Sequence, residues 1–298
     1  MPSRVIPLTV PLDLRLTIGL HARGPGDPAM RVGRATAVRA TRTPDGPASI
    51  GLELVPGAVR AEAFGPGAER VLDALPALLG LDDDPSAFVP AHPLIAELAR
   101  RLRGLRIGRT GAVMEALVPA ILEQKVTGRE ASLGYRGLVR RYGEPAPGPF
   151  GLRLLPAPET LAALPYHAFH PLGVEQRRAD VIRRAARVAA RLEEAAGMEA
   201  DAADTRLRSV TGVGAWTAAE VRARALGDPD AVSVGDFHTK HLVAWTLAGE
   251  PRGTDERMLE LLEPCRGQRG RVIRLLEASG LTAPRFGPRM APRSIAKI

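Results

Sequence analysis

The hydrophobic period of this chain changes along its length, and that change limits the fold more than any other feature. Up to Phe64 the apolar residues mostly alternate with polar ones, the period-2 signal of half-buried strands. Val5, Leu8, Val10, Leu12, Leu14, Leu16, Ile18 and Leu20 open the pattern, and Arg31 to Thr41 continues it. Turn residues follow at Pro44-Asp45-Gly46-Pro47, then strand patterns at Ile50–Leu54 and Val59–Phe64. Ala68–Leu79 has a helical stripe of Val71, Leu72, Leu75 and Leu78. From residue 91 the period is helical throughout. The segments are 93–102, 111–125, 127–142, 174–194, 201–210, 216–226, 237–247, 254–262 and 268–279. The pattern predicts an antiparallel α+β domain over 1–90, an all-helical domain over 91–280 and a basic, proline-rich tail over 281–298.

Charge follows the same division. The chain carries 41 basic and 33 acidic residues in 298, a net charge of +8. Residues 1–90 hold nine arginines against ten acidic residues; residues 91–298 hold the other 32 basic and 23 acidic side chains. All the positive excess therefore lies in the helical part, where an anionic partner such as nucleic acid would bind. A solvated arginine surface is the other reading of the same excess. Cys265 is the only cysteine, which excludes an internal disulfide, a cysteine-ligated zinc site and a four-cysteine iron–sulfur cluster. No apolar run reaches membrane-spanning length, and the start lacks the core of a signal peptide. A monomeric, cytoplasmic, nucleoid-associated bacterial protein with no membrane partner is the expectation.

The most specific stretch runs from Leu207 to Val221. Two short helical patterns flank Thr211-Gly212-Val213-Gly214, where glycines allow a tight turn. The N–H groups at the start of the second helix can hold one phosphate through backbone alone, which positions a duplex without reading its sequence. A plain helix–helix turn with a glycine cap fits the same residues. Ala231-Val-Ser-Val-Gly-Asp236-Phe-His-Thr-Lys240 follows, with Asp236 placed to cap the helix from Phe237.

Hairpin, short helix and V-x-V-x-D step together resemble the helix-hairpin-helix superfamily of DNA glycosylases. Ala120-Ile-Leu-Glu-Gln-Lys-Val-Thr127 resembles the helix that ends in the family's glutamine and base wedge. The α+β start and helical remainder are similar to the 3-methyladenine DNA glycosylase II branch. The resemblance implies a monofunctional DNA N-glycosylase of base excision repair. It would flip a damaged base, with alkylated bases as the expected class, out of double-stranded DNA and hydrolyse its glycosidic bond. The alternative is a non-catalytic DNA-damage binding protein of the same fold.

Residue by residue, the resemblance implies that Asp236 is the catalytic carboxylate, stabilising positive charge on the sugar. It implies DNA contacts at Gly212, Gly214, Thr217, Gln124, Lys125 and Lys240, and base-pocket walls at Trp216, Phe237, Tyr166 and Phe169. The backbone carbonyls of Arg208, Val210 and Val213 would hold a structural Na+ or K+; no other cofactor is expected. Trp216 stands where lyase-type relatives carry a lysine, so no Schiff base with the sugar is expected. Two positions depart from the family pattern. Lys125 replaces an apolar or amide wedge, and Glu220 stands where an aromatic wall is expected, with Arg274 near another such position. The pairs His167/His170 and His238/His241 lack further ligands for a zinc site.

Overall fold

The computed structural model describes residues 2–286. Five antiparallel strands form one sheet in the order β1-β5-β4-β3-β2. They are β1 (Ser3–Pro7), β2 (Met30–Val32), β3 (Thr36–Thr43), β4 (Gly46–Val55) and β5 (Ala58–Phe64). The β3–β4 hairpin pairs Thr43 with Gly46, so Pro44 and Asp45 form the tip the sequence predicts. One face of the sheet buries Ala48, Ile50, Leu52, Val59, Ala61 and Ala63.

The predicted strand across Leu12–Leu20 is instead a helical turn, α1 (Leu14–Thr17), continued by a 3-10 turn over Ile18–His21. Asp13 caps it by accepting the Leu16 N–H at 3.0 Å. The spacing of four then puts Leu14 and Ile18 side by side in the sheet core, both fully buried. The apolar alternation fitted both structures, and the capping aspartate decided between them.

Two helical turns cover the sheet, α2 (Ala68–Asp73) and α3 (Leu75–Leu78), where the sequence predicts one helix. The helical part then comprises α4 (Pro93–Arg101), α5 (Val113–Leu122), α6 (Gly128–Tyr142), α7 (Pro158–Ala163), α8 (Tyr166–Phe169) and α9 (Gln176–Arg187). It continues with α10 (Ala189–Glu193), α11 (Ala200–Arg208), α12 (Ala215–Val221), α13 (Thr239–Ala248), α14 (Asp255–Leu262) and α15 (Arg269–Ser279). The long helix expected over 174–194 breaks at Val188, whose φ of −117° ends one helix and begins the next. The helix expected over 216–226 gives way after Val221 to a π-helical turn, Arg222–Leu226.

Helix α5 runs through the centre of the helical core and is held at both ends. Glu193 accepts the N–H groups of Val113 and Met114 at 2.8 and 2.9 Å, and burial pushes its carboxyl above the usual range despite those bonds. Buried Arg178 donates to the Leu122 carbonyl at 2.8 Å. Midway, Glu115 accepts from Arg39 at 2.7 Å, from the Thr41 hydroxyl at 2.9 Å and from the Arg42 N–H at 2.8 Å, tying the helix to β3. The residues just beyond α5, Glu123, Gln124 and Lys125, are thereby fixed relative to both sheet and helices. Most of the predicted tail, 287–298, lies outside the described residues; Leu281–Phe286 has no regular structure.

Candidate active site

The hairpin between α11 and α12 is closed by the Val213 N–H donating to the Val210 carbonyl at 2.9 Å. Gly212 has a φ of +101°, and a Cβ there would lie 2.3 Å from a methyl of Val181. Both the backbone angle and the packing of α9 therefore require glycine. Gly214 differs: its φ is −98°, and a Cβ would meet nothing within 4 Å.

Two side chains brace the turn from behind. Arg184 donates to the Thr211 carbonyl at 3.0 Å. The Gln124 amide donates to the Gly212 carbonyl at 3.1 Å and to the Thr217 hydroxyl at 2.9 Å. The structure thus brings Gln124, Gly212 and Thr217 together but corrects the DNA-contact assignment of Thr217. That residue is 2% exposed and its hydroxyl already faces Gln124. Lys125 is exposed at the next position, with a φ of +56°. It is the one non-glycine residue with positive φ among the described residues, and the conformation turns the chain sharply beside the hairpin.

Asp236 lies on the loop before α13. One carboxylate oxygen accepts the N–H of His238 at 2.7 Å and, from Thr239, the N–H at 2.8 Å and the hydroxyl at 3.0 Å. The other accepts the indole N–H of Trp216 at 3.2 Å. Burial raises the carboxyl, but the Thr239 and His238 N–H groups, with Trp216 and the Thr239 hydroxyl, outweigh it and hold Asp236 below the usual carboxylate range. The capping role and the charged role coexist in one residue. The helix begins at Thr239, two residues later than the sequence predicts.

The loop is stapled to its helix by Asp255, which accepts the Gly235 N–H at 3.0 Å and pairs with the Lys240 ammonium at 3.2 Å. This corrects the assignment of Lys240 as a phosphate contact: its charge is engaged within the fold. Of the predicted pocket walls, Trp216 is half-buried beside Asp236. Phe237 is 70% exposed, its ring edge-on to His238 and His241. Phe169 is fully buried with Leu161 and Val174 in the helical core, so no ligand can reach it. Tyr166 packs against that same core with its ring 5.7 Å from His170.

Beside Glu220 and Arg274, which the sequence singles out, several site residues carried no sequence signal of their own. A cavity beside Thr239 is lined by Leu20, Glu220, Arg224, Ser233 and Arg274 among others. Its Glu220 carboxylate pairs with Arg224 and accepts the Ser233 hydroxyl. Half-buried Arg224 also lines a second cavity, with His21, Arg23 and Arg39. Both ring nitrogens of His21 lack a partner among the described residues, and burial, reinforced by the surrounding arginines, pushes its pKa well down. Arg23 lies 3.6 Å from Glu123. The residues around α1 thus reach into the helical site, and only the position of Glu123 beside Gln124 could have flagged any of this group. Among the described residues no cluster of His, Cys, Asp or Glu is arranged to hold a metal ion.

This arrangement has known counterparts. The family HhH-GPD, described as a superfamily of base excision DNA repair proteins, matches residues 118–267, half of the chain. Two curated Mycobacterium tuberculosis proteins, each named a probable bifunctional transcriptional activator/DNA repair enzyme AlkA, are 34% identical over 166 residues. That alignment covers 54% of this chain and 33% of each relative, so the chain spans about a third of the length of the curated relatives it matches. Among solved structures, the 3-methyladenine DNA-glycosylase of Archaeoglobus fulgidus superposes with a TM-score of 0.76 at 20% identity, over 93% of this chain and 98% of that one. The 8-oxoguanine glycosylase/lyase of Clostridium acetobutylicum gives 0.63 at 13% identity, over 84% and 98%. These structural likenesses establish the shared fold, and the match over 118–267 establishes the family: the chain belongs to the HhH-GPD superfamily of base excision DNA repair proteins.

Proposed function

We propose that the protein is a monofunctional DNA N-glycosylase that removes alkylated bases from double-stranded DNA and leaves an abasic site. The observation that carries this reading is the state of Asp236. Four donors hold its carboxylate charged and oriented beside the hairpin. As a flipped base departs, positive charge grows on the sugar, and a fixed carboxylate stabilises that charge more in the transition state than in the ground state. It also orients the attacking water and takes up its proton. The hairpin backbone at Val213 and Gly214 and the exposed Lys125 would meet the DNA strand, with Lys125 beside the gap left by the flipped nucleotide.

Binding should be electrostatic, through the positive excess of residues 91–298. The reaction uses no redox cofactor. A Na+ or K+ on the carbonyls of Arg208, Val210 and Val213 would stiffen the turn; the Val210 oxygen already accepts the Val213 N–H, and its second lone pair suits a cation. No helix among the described residues is long and apolar enough to cross a membrane. We assign the protein to the cytoplasm as a monomer.

The test is incubation of the full chain with dimethyl sulfate-treated duplex DNA, followed by assay for free methylated base and alkali-labile sites. Release of base supports the reading. Tight binding of the treated DNA with no release would replace it with the non-catalytic damage binder, which the Glu220–Arg224 pair at an expected aromatic position favours.

A further inference from the structure

The cavity that holds His21 lies between the sheet and the helices, and the mechanism above has no use for it. His21 and Arg23 reach it from the segment after α1, Arg39 from β3, Tyr135 from α6 and Arg224 from the π-helical turn. His21 is 9% exposed and Arg23 8%. Neither ring nitrogen of His21 has a partner among the described residues, and the Arg224 Nε has none either. The Arg23 backbone N–H is bonded to Asp27, but its guanidinium only pairs with Glu123 across 3.6 Å, beyond hydrogen-bond distance. Burial keeps the Tyr135 phenol protonated, a further donor in the wall.

Two carboxylates also line the cavity, and both are already engaged. Asp27 accepts the N–H groups of Arg23 and Ala29 at 2.7 and 2.8 Å. Glu115 accepts from Arg39, Thr41 and Arg42. Outside the wall, Glu220 pairs with Arg224 through one guanidinium nitrogen. The charges that act most on His21 are those of Arg39, Arg224, Arg23 and Arg274, so the field at the imidazole is positive. Unspent buried donors in a positive field call for an acceptor with negative charge. The volume of the cavity is about 30 Å³, roughly twice what one water needs. That is room for a small ion and none for a nucleobase.

We propose that this cavity is a binding site for a small inorganic oxyanion of the phosphate or sulfate class, held by Arg23, His21, Arg224 and Tyr135. The Arg23 guanidinium can engage two oxygens of such an ion at once. The negative charge opposes the arginines at His21, so the imidazole takes up a proton from solvent on binding, and both of its nitrogens become donors. The ion braces the segment after α1 against the π-helical turn, whose Arg224 also lines the cavity beside Thr239. A DNA phosphate at the hairpin would meet other residues, namely the backbone at Val213 and Gly214 and the exposed Lys125.

The experiment titrates the full chain with millimolar sodium sulfate at fixed ionic strength and follows thermal melting of wild type, Arg23→Met and Lys125→Ala. Sulfate does not itself titrate near neutral pH, so any proton uptake belongs to the protein. Wild type should melt about 2 °C higher once sulfate stands tenfold above its Kd, and Lys125→Ala should show the same rise. Arg23→Met should show none. No rise in wild type overturns the proposal, and so does an equal rise in Arg23→Met, which would be the general salting effect of sulfate. A rise lost in Lys125→Ala but kept in Arg23→Met would place the ion on the DNA-binding face and overturn it as well. Calorimetry on wild type alone covers the case in which Arg23→Met fails to fold. Sulfate binding measured in two buffers of different ionisation enthalpy should show proton uptake at pH 7.5; heat independent of the buffer would remove His21 from the site and overturn the proposal.

Discussion

Trp216 and Asp236, twenty residues apart, meet in a hydrogen bond of 3.2 Å from the indole N–H to the carboxylate. The bond joins the start of α12 to the loop before α13. Both carboxylate oxygens are thereby engaged, one by Trp216 and the other by the backbone and hydroxyl donors of α13. Trp216 thus supports the charged group directly, and its aromatic ring occupies the space beside it.

Replacing the donor should be visible as a pH effect. Trp216→Phe keeps a ring but removes the N–H that stabilises the charged form. The Asp236 pKa should rise, and the acid limb of 7-methylguanine release should move up by about one pH unit. Stability follows the same sign. A carboxylate with a lowered folded pKa stabilises the fold above its unfolded pKa, and that contribution is lost as pH falls through the folded value. The variant should therefore lose stability at a higher pH than wild type in acid titration. An acid limb at the wild-type position would show that the indole bond does not tune Asp236.

Asp236→Asn should reduce base release by a factor of about 10² or more, the scale for removing one fixed charge-stabilising group. The amide oxygen can still accept from His238 and Thr239, so the helix cap and DNA binding should survive, with affinity within several-fold. Gel-shift titration and base-release kinetics on one preparation separate the two. Release near the wild-type rate would eliminate Asp236 as the catalytic group.

The two hairpin glycines should behave oppositely. Gly212→Ala forces a side chain into positive φ and against Val181, at a cost of about 2–4 kcal/mol from strain and overpacking. Gly214→Ala meets open space at an ordinary φ and should leave the melting temperature nearly unchanged. Its methyl would instead stand between the hairpin backbone and a phosphate, weakening DNA binding about tenfold. Equal destabilisation by both would mean that Gly214 serves the fold alone.

The contrast between those glycines indicates which features were legible in the sequence. The change of hydrophobic period gave the sheet followed by helices, because periodicity reports directly which face is buried. The hairpin and Asp236 were legible because their chemistry is local: a turn, a cap and a fixed spacing. Thr217, Lys240 and Phe169 were misread because their partners come from distant chain. Gln124 reaches Thr217 across 93 residues, and Asp255 reaches Lys240 across 15. Phe169 is fully buried in the helical core, which its aromatic type alone does not reveal. Arg23 and Glu123 lie a hundred residues apart, and only packing of α1 against the helical part brings their charges together.

Lysine variants should separate DNA contact from internal pairing. Lys125 is exposed beside the hairpin, so Lys125→Ala should weaken binding and reduce the slope of log affinity against log salt by about 0.9 if it meets one phosphate. Lys240 is paired with Asp255, so Lys240→Met should leave the slope unchanged and lower the melting temperature instead. A smaller salt slope in Lys240→Met would mean that the Asp255 pair opens on DNA.

The same two lysines decide the class of chemistry. A glycosylase that also cleaves the strand needs an unprotonated amine close to C1′, which displaces the base and forms a Schiff base. Here the position two residues beyond Gly214 is Trp216, whose indole N–H is a donor without a nucleophilic lone pair. Of the three lysines, Lys240 is paired with Asp255, Lys125 is exposed beside the hairpin, and Lys297 is outside the described residues. On the proposed mechanism water is then the attacking group, and the product should be an intact strand with an abasic site. Borohydride present during turnover should trap no covalent protein–DNA adduct, and strand breaks should appear only after alkali or heat. A trapped adduct mapped by peptide sequencing to Lys125 or Lys240 would reverse the assignment: the amine would be the nucleophile, Asp236 would serve to deprotonate it, and the protein would be a glycosylase with lyase activity.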